Sequence, residues 1–591
     1  MVRKILVPFL FTLLAVSPVL PAAAQEKPAQ PAEPSSQEET FFEAIDVQVV
    51  NLEVFVTDKQ GRRVSDLTRE DFEVLEDGQP VEISNFFAVT AGGSETPAPE
   101  ASPSEAPAAP AAPAPLEEIP LEQRLHLAIL VDNLTLTAEN RNRLVQSIEQ
   151  SVIPRLRPDD RALVAVIDGS AVRITQSLTT DPAQLRTALQ EALKSAPMGS
   201  ARLMDKREIL SRIDSVGLVP SGGESQGGEL NAGMVQQLYY DIQSYAAQRS
   251  QEARMSLGAV ANFVDSLSGL PGRKAVLYVG GGLSLRPAEA LYQTWQLKFG
   301  MASRTMGVDI STSSFDGQRE DLTDEFKEMI EHANANRVTF YTVGEIEELS
   351  GVSAGSRTSG NWGVQMESLE QANLQQSLEM VAGGTGGLSG VGLSDPRNLF
   401  DRMRQDFDSY YSLGYVPARH RDGKDRKIEV RIRDRKDLQV RHREGRRDQT
   451  NRERMTDRTL AALLLDAGAN PLEVAVEFLA EKKEKDNYMV EVLVKFPLAK
   501  LVLLPKERFH EGKVSLFIGA RDSRGRTSPI QEIAVPIRVP NDQLLTALGQ
   551  TAAFKTNLLL RPEAHTVAVS IRDELGNADS ALAVEHTPGK K

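Results

Sequence analysis

The apolar positions of this chain follow three rhythms, and their order along the sequence outlines its architecture. From Phe41 to residue 90 the spacing is strand-like: Val47, Val49, Leu52, Val54 and Val56 precede the turn signal Asp58-Lys59-Gln60-Gly61. Further strands are expected over Phe72–Leu75 and Val81–Phe87, joined by Glu76-Asp77-Gly78. Such ribbons lack the area for a core of their own, so residues 41–90 need partners elsewhere in the chain.

The second rhythm starts at Leu125. A fully apolar strand, Leu127–Val131, ends in Asp132, and a helix over 138–156 carries Leu144, Ile148 and Ile153 on one side. Strands 162–167 and 172–176 flank the turn Asp168-Gly169, and helix 182–194 has Asp181 as N-cap and Pro182 at its first position. A helix-rich insertion, 200–268, contains the loop 220–233 and a long helix over 234–267 with Leu238, Ile242, Tyr245, Leu257, Val260 and Phe263 at helical spacing. Strand 275–279, helix 324–334, strand 338–343, helix 369–381 and strand 410–415 follow. Buried strands alternating with helices imply a mainly parallel sheet covered on both faces.

After Pro417 comes the third rhythm. Lys427–Arg433 alternates, with Ile428, Val430 and Ile432 on one face and charge on the other. A short helix, 458–466, leads into strands near 472–480, 488–496, 513–521, 531–539 and 565–572, the pattern of an immunoglobulin-like β-sandwich over 455–588. Residues 418–445 are expected to complete a split sandwich with 41–90, so that the α/β domain, 123–417, is inserted between the halves.

Composition adds compartment and linkers. Arg3 and Lys4, the apolar run from Ile5 to Leu20 and Ala22-Ala23-Ala24 read as a signal peptide, 1–24, and an exported, periplasmic or secreted product. Pro8 and Pro18 interrupt the run, which is short for a membrane span of about 20 residues, so no membrane insertion is expected after cleavage. Residues 25–40 lack apolar side chains and are expected to be disordered; 91–118, nearly all Ala, Pro, Ser and Glu, reads as an extended linker. At 591 residues the chain is long enough for roughly three to four domains. Its net charge of −15 opposes affinity for nucleic acid, and with no cysteine each domain relies on its own core.

Several segments together resemble a known family. Val54-Phe55-Val56-Thr57-Asp58 with Gly61, Leu67-Thr68-Arg69-Glu70-Asp71-Phe72, Glu76-Asp77-Gly78, Leu270-Pro271-Gly272-Arg273-Lys274 and Ser409-Tyr410-Tyr411-Ser412-Leu413-Gly414-Tyr415-Val416-Pro417 are similar, in order and spacing, to the bacterial VWFA-related domain described from Acidobacteria. The resemblance spans residues 45 to 445 and implies an α/β fold: a Rossmann-like von Willebrand factor type A (VWA) sheet with helices on both faces, combined with β-sandwich modules.

The family's usual chemistry is a metal-ion-dependent adhesion site: Asp-x-Ser-x-Ser after the first strand, a Thr in a second loop and an Asp after the fourth strand. Mg2+ needs six oxygens in near-octahedral array. Here the first motif reads Asp132-Asn133-Leu134-Thr135-Leu136, with leucine at both hydroxyl positions, and Gly280-Gly281-Gly282-Leu283-Ser284 stands where the Asp would be. Ser200 is the stand-in for the loop Thr. The site is degenerate, so no cofactor is expected and Mg2+ is disfavoured; Asp132 reads instead as an acceptor for nearby backbone amides. Asp132, Asn133, Thr135, Thr137, Ser200, Gly281 and Ser284 remain the candidate binding loops, without a metal and without a catalytic residue.

Other features fit bland roles. Gly280–Gly282 lacks a following Lys-Ser/Thr and reads as a strand-to-helix turn, as Gly383–Gly387 does before the last strand's region. Ser389 lacks a G-x-S-x-G frame, and the seven histidines show no ligand spacing. The basic tract Arg419–Arg458 is interleaved with carboxylates and has no aromatics to stack bases, so it reads as a solvated face. Tyr239, Tyr240 and Tyr245 suit a partner-binding arm or packing equally. A non-catalytic scaffold recognising a protein or peptide is the leading reading. The alternatives are an extracytoplasmic hydrolase working through paired carboxylates and an envelope-assembly protein.

Overall fold

The computed structural model describes residues 49–90, 93–95, 124–168, 171–216, 232–305, 320–344, 362–391, 397–417, 422–465 and 468–590. The expected signal peptide, the segment 25–40, nearly all of the linker 91–118, the turn residue Gly169 and most of the loop 220–233 lie outside the described residues.

The first segment forms β1 (Val50–Thr57), β2 (Phe72–Glu76), β3 (Gln79–Val81), β4 (Ile83–Thr90) and β5 (Gly93–Glu95). Asp77 and Gly78, at φ 50° and 77°, make the β2–β3 turn; a left-handed pair is what a tight right-twisted hairpin demands, and Asp-Gly supplies it. The α/β segment follows as β6 (Leu125–Asp132), α1 (Ala138–Ser151), β7 (Arg161–Asp168), β8 (Ala171–Thr179), α2 (Pro182–Ala192), α3 (Gly199–Ser215), α4 (Ala232–Ser268), β9 (Arg273–Val279) and α5 (Glu289–Thr305), then α6 (Thr323–Ala335), β10 (Val338–Gly344), α7 (Trp362–Gly384), β11 (Ser389–Val391) and α8 (Arg397–Asp408). Helix α1 stops short of residue 156 because Pro154 has no N–H to continue it, and a 3-10 turn takes over. Asp181 caps α2, accepting from the Ala183 amide at 2.8 Å.

The sheet runs β11-β10-β9-β6-β7-β8, parallel throughout except for the antiparallel edge strand β8. Val260, Phe263, Phe326 and Val381 cover one face, and Leu144, Ile148, Leu185 and Phe400 the other. A mixed α/β fold with a helix-covered parallel sheet is therefore present. The insertion is less separate than expected: α4 is one 37-residue helix whose second half covers the sheet. Its first half joins α3 and α5 in a cluster around Trp295, where Tyr239 lies 4.9 Å from the indole, so Tyr239 packs rather than projecting as an arm.

Strand β12 (Tyr410–Tyr415) does not belong to the parallel sheet, contrary to the expected boundary at 417. It lies between β1 and β4, antiparallel to both. Its pattern explains this, because Tyr411, Leu413 and Tyr415 face one core while Ser412 and Gly414 do not, the alternation of a half-buried strand. The parallel sheet ends instead with β11 (Ser389–Val391), which starts two residues after the glycine turn.

The chain continues as β13 (Asp425–Ile432), β14 (Gln439–Arg441) and β15 (Gly445–Arg447). Sheets β14-β1-β12-β4-β5 and β15-β13-β2-β3 enclose one core of Val50, Leu52, Phe72, Tyr411, Leu413 and Ile428. Val430 pairs with Val74, so strands on either side of the α/β segment share a sheet.

Helix α9 (Asn451–Leu465) places Ala461 and Leu465 against the parallel-sheet core and Ala462 and Leu463 against Ala568 and Ala581 of the last module. That module comprises β16 (Ala475–Glu484), β17 (Asn487–Pro497), β18 (Leu504–Pro505), β19 (Phe509–Asp522), β20 (Gln531–Pro540), β21 (Thr551–Leu560), β22 (His565–Asp573) and β23 (Ala578–His586), with β16-β17-β21 packed over the sheet containing β19 and β22.

The basic tract is only partly a solvated face. Arg431 and Arg435 pair at the surface with Glu429 and Asp437. Arg441, in contrast, reaches into a module junction, and Arg446 is buried within the split sandwich. Arg441 gives two hydrogen bonds to the buried Asp406 of α8, at 2.7 and 3.0 Å, and Arg446 pairs with Glu76 at 2.7 Å. Among the described residues no helix is long and apolar enough to cross a membrane.

Candidate functional site

The loop after β6 is held by its leucines. Leu134 sinks into the core on one face of the sheet and Leu136 into the core on the other. The residues standing where hydroxyls would ligate a metal thus pin the loop from both sides. Asp132 points inward too and is fully buried. Its Oδ1 accepts from the Leu134 amide at 2.8 Å, and its Oδ2 accepts from the Tyr278 hydroxyl at 2.5 Å. Burial pushes its pKa above the ordinary 3.8, against the opposing pull of these hydrogen bonds. Burial and the neighbouring Asp132 charge raise that of the Tyr278 phenol. The amide-acceptor reading of Asp132 is therefore incomplete: a tyrosine from the neighbouring strand β9 takes its second oxygen.

Asn133 is also buried and works as a brace. Its Oδ1 accepts from Arg141 at 3.0 Å, and Arg141 donates on to the carbonyls of Ser195 and Leu193, tying the loop to the end of α2. Thr137 caps α1, its Oγ1 accepting from the Asn140 amide. Thr135 Oγ1 accepts from the Gly281 amide at 3.0 Å, joining the loops after β6 and β9. A Cβ at Gly281 would lie 2.8 Å from the Thr135 carbonyl oxygen, so the two loops meet only because position 281 has no side chain.

Thr135, Thr137, Gly281 and Ser284 line one cavity of about 140 Å3 at the C-terminal ends of β6 and β9. Asp132, Asn133 and Ser200 do not; Ser200 is exposed on the first turn of α3. The Ser284 Oγ is buried without a hydrogen-bond partner among the described residues. Of the described residues, no group of three or more His, Cys, Asp or Glu is placed to hold a metal ion.

The wall also includes Arg202 and Lys206 of α3, Arg249 of α4 and Glu370 of α7, which sequence reasoning passed over, and Tyr245 of α4, which it read as part of a partner-binding arm or as packing. Arg202 and Arg249 both pair with Glu252, at 2.8 and 2.9 Å, and Lys206 pairs with Glu370 at 3.1 Å. Arg249 also sits 5.2 Å over the Tyr245 ring. Burial, followed by the Glu370 charge, raises the Tyr245 pKa well above its usual value, so the ring presents a neutral phenol. The available signal was the four-residue spacing of Arg202/Lys206 and of Tyr245/Arg249, which puts each pair on one helical face.

No family model matches this chain, and no curated protein matches it. Among solved structures it is similar to the SpRpn10 VWA domain at 9% identity, over 47% of this chain and 94% of that one, with a TM-score of 0.20. It is also similar to the TFIIH p34 N-terminal domain at 9% identity (48% and 98% covered, TM-score 0.16) and to the human COPII-coat protein Sec24c at 6% identity (78% and 44% covered, TM-score 0.20).

Proposed function

We propose that this chain is an exported, non-catalytic interaction protein that receives a segment of a protein or peptide partner in the cavity between the β6 and β9 loops, without a bridging metal ion. The observation that carries the reading is the composition of that cavity. Loop hydroxyls of Thr135 and Thr137, the partnerless Ser284 Oγ and three cationic side chains meet at the C-terminal end of an open parallel sheet, where ligands of such sheets commonly bind. The inward turn of Asp132 favours direct recognition over a metal bridge, because both of its oxygens are already engaged. A hydrolase using paired carboxylates is less well supported. Glu370 is the one acid on the wall among the described residues, and Lys206 neutralises it.

The test is capture from a native envelope extract on the immobilised mature chain, compared with Ser284→Phe, which fills the cavity, and Lys206→Met, which removes one cation. Ser284→Phe should melt within a few degrees of the parent and Lys206→Met lower, because it leaves Glu370 without its cation, and both should lose retained partner. Partner retained equally by all three proteins, or released from the parent by chelation, would refute the proposal.

A further inference from the structure

A second cavity, of about 260 Å3, lies at the opposite end of the parallel sheet, against the outer face of the split sandwich. Arg337 and Thr339, at the start of β10, line one side; Asn51 and Glu53 of β1 and Ser412 of β12 line another, with Arg443 beside them. Its charges do not balance. Glu53 is the one carboxylate on the wall among the described residues, and Arg273 takes it in an ion pair at 3.1 Å while stacking 4.2 Å from the Tyr410 ring. Arg337 and Arg443 feel the Glu53 charge, but neither has a carboxylate of a described residue within ion-pair distance, and one carboxylate faces three guanidinium groups.

Their hydrogen bonding is also unfinished. Arg443 donates one bond, to the Asn51 carbonyl at 2.6 Å, while its Nε is buried without a partner. Arg337 is exposed and has no side-chain hydrogen bond or ion pair to any described residue, so its donors are open to solvent and to a ligand. It adopts φ 56°, a left-handed conformation rare for a long side chain, at the turn from α6 into β10. Neighbouring groups register the excess positive charge. Burial and then the charge of Arg337 lower the pKa of Arg443 to about 9, and burial with Arg337 and Arg443 lowers that of Lys274 to about 7. Guanidinium groups with open N–H donors, hydroxyls on Thr339 and Ser412 and a cavity of this size are what an oxyanion requires.

We propose that this cavity binds a small multivalent oxyanion of the phosphate or sulfate class between Arg337 and Arg443, joining the parallel-sheet domain to the split sandwich. The bound anion supplies the missing negative charge at the junction. The inference is independent of the partner cavity, whose residues it does not share.

Titration calorimetry with inorganic phosphate, at constant ionic strength set by chloride, tests it on the full mature chain. The expected result is saturable one-to-one binding, weakened at least about tenfold in Arg443→Gln and in Arg337→Asn, the loss of one charge-assisted hydrogen-bonding group. Asparagine is chosen at 337 because it tolerates the left-handed backbone. Thermal melts give a second readout. Phosphate also strengthens burial generally by exclusion from protein surfaces, but that effect does not saturate and is equal in parent and variants. Absence of saturable binding, or saturable binding unchanged in both variants, would overturn the assignment.

Discussion

Asp132→Ala and Asp132→Asn should have sharply different effects on stability. Alanine removes the acceptor of two buried donors, the Leu134 amide and the Tyr278 hydroxyl. An orphaned buried polar group costs about 1–3 kcal/mol, so the pair should cost about 2–6 kcal/mol, well above an ordinary loop change. Asparagine keeps an acceptor at that position and removes the charge. Because burial raises the folded-state pKa above 3.8, the folded protein holds this proton to higher pH than the unfolded chain does. Parent stability therefore falls as pH rises through that window, and the charge penalty is fully present above it. Asp132→Asn should match or exceed the parent at pH 7 and lose any advantage below pH 3.8. Urea unfolding at pH 7 and pH 3, with unchanged m-values, measures both variants. If Asn were as damaging as Ala at pH 7, the carboxylate charge would be needed, and a bound cation would be the natural reason. Magnesium calorimetry closes that route: a micromolar site at 1 mM Mg2+ would stabilise the fold by about 4 kcal/mol and a millimolar one by only a few tenths.

Two further perturbations probe the junctions. Burial, reinforced by Asp265, raises the pKa of Asp457 to about 6, so parent stability should decline between pH 3.8 and 6. Asp457→Asn should flatten that slope and gain about 1–3 kcal/mol at pH 7, read by denaturation across pH 4–7; an unchanged slope would contradict it. Asp406→Ala should cost about 3–5 kcal/mol, because it leaves the guanidinium groups of Arg63 and Arg441 and the Tyr341 hydroxyl without their common acceptor. Calorimetry should show this loss, and a loss below 1 kcal/mol would show that the junction is hydrated.

The sequence revealed those elements whose local pattern agrees with their burial. Leu127–Val131 is apolar throughout and lies at the centre of the parallel sheet; Ile428, Val430 and Ile432 alternate and occupy a half-buried strand. Strand β11, Ser-Gly-Val, was invisible because an edge strand of three residues needs no apolar run. Strand β12 was readable as a strand but not as to its sheet, since its register is set by β1 and β4, more than 300 residues earlier. The same holds for the site. The adhesion-site positions could be found from their order, yet the direction in which Asp132 points depends on Tyr278, whose position next to β6 is a property of the sheet. The cations on the cavity wall were passed over because their carboxylate partners lie on other turns and other helices, where helical spacing alone does not bring them together.

Arginine pairs bear on whether the α/β domain can swing on its two connections. Side-by-side connections favour hinge motion, but Asp406 of α8 receives Arg63 and Arg441 from the sandwich, and Glu53 of β1 holds Arg273 at the start of β9. Opening the joint would break these charge-assisted pairs, a loss of about 1.5–3 kcal/mol each after the exposed groups are rehydrated. These contacts gather at the N-terminal ends of β9 and β10, whereas Thr135, Gly281 and Ser284 lie at the C-terminal ends. One end of the sheet is therefore fixed by charge to the flanking module, and the other carries the cavity. A ligand entering between the β6 and β9 loops need not disturb the ion pairs at the far end. Rearrangement on binding should then fall on α3 and the first half of α4, which pack mainly against α5 in a cluster of their own.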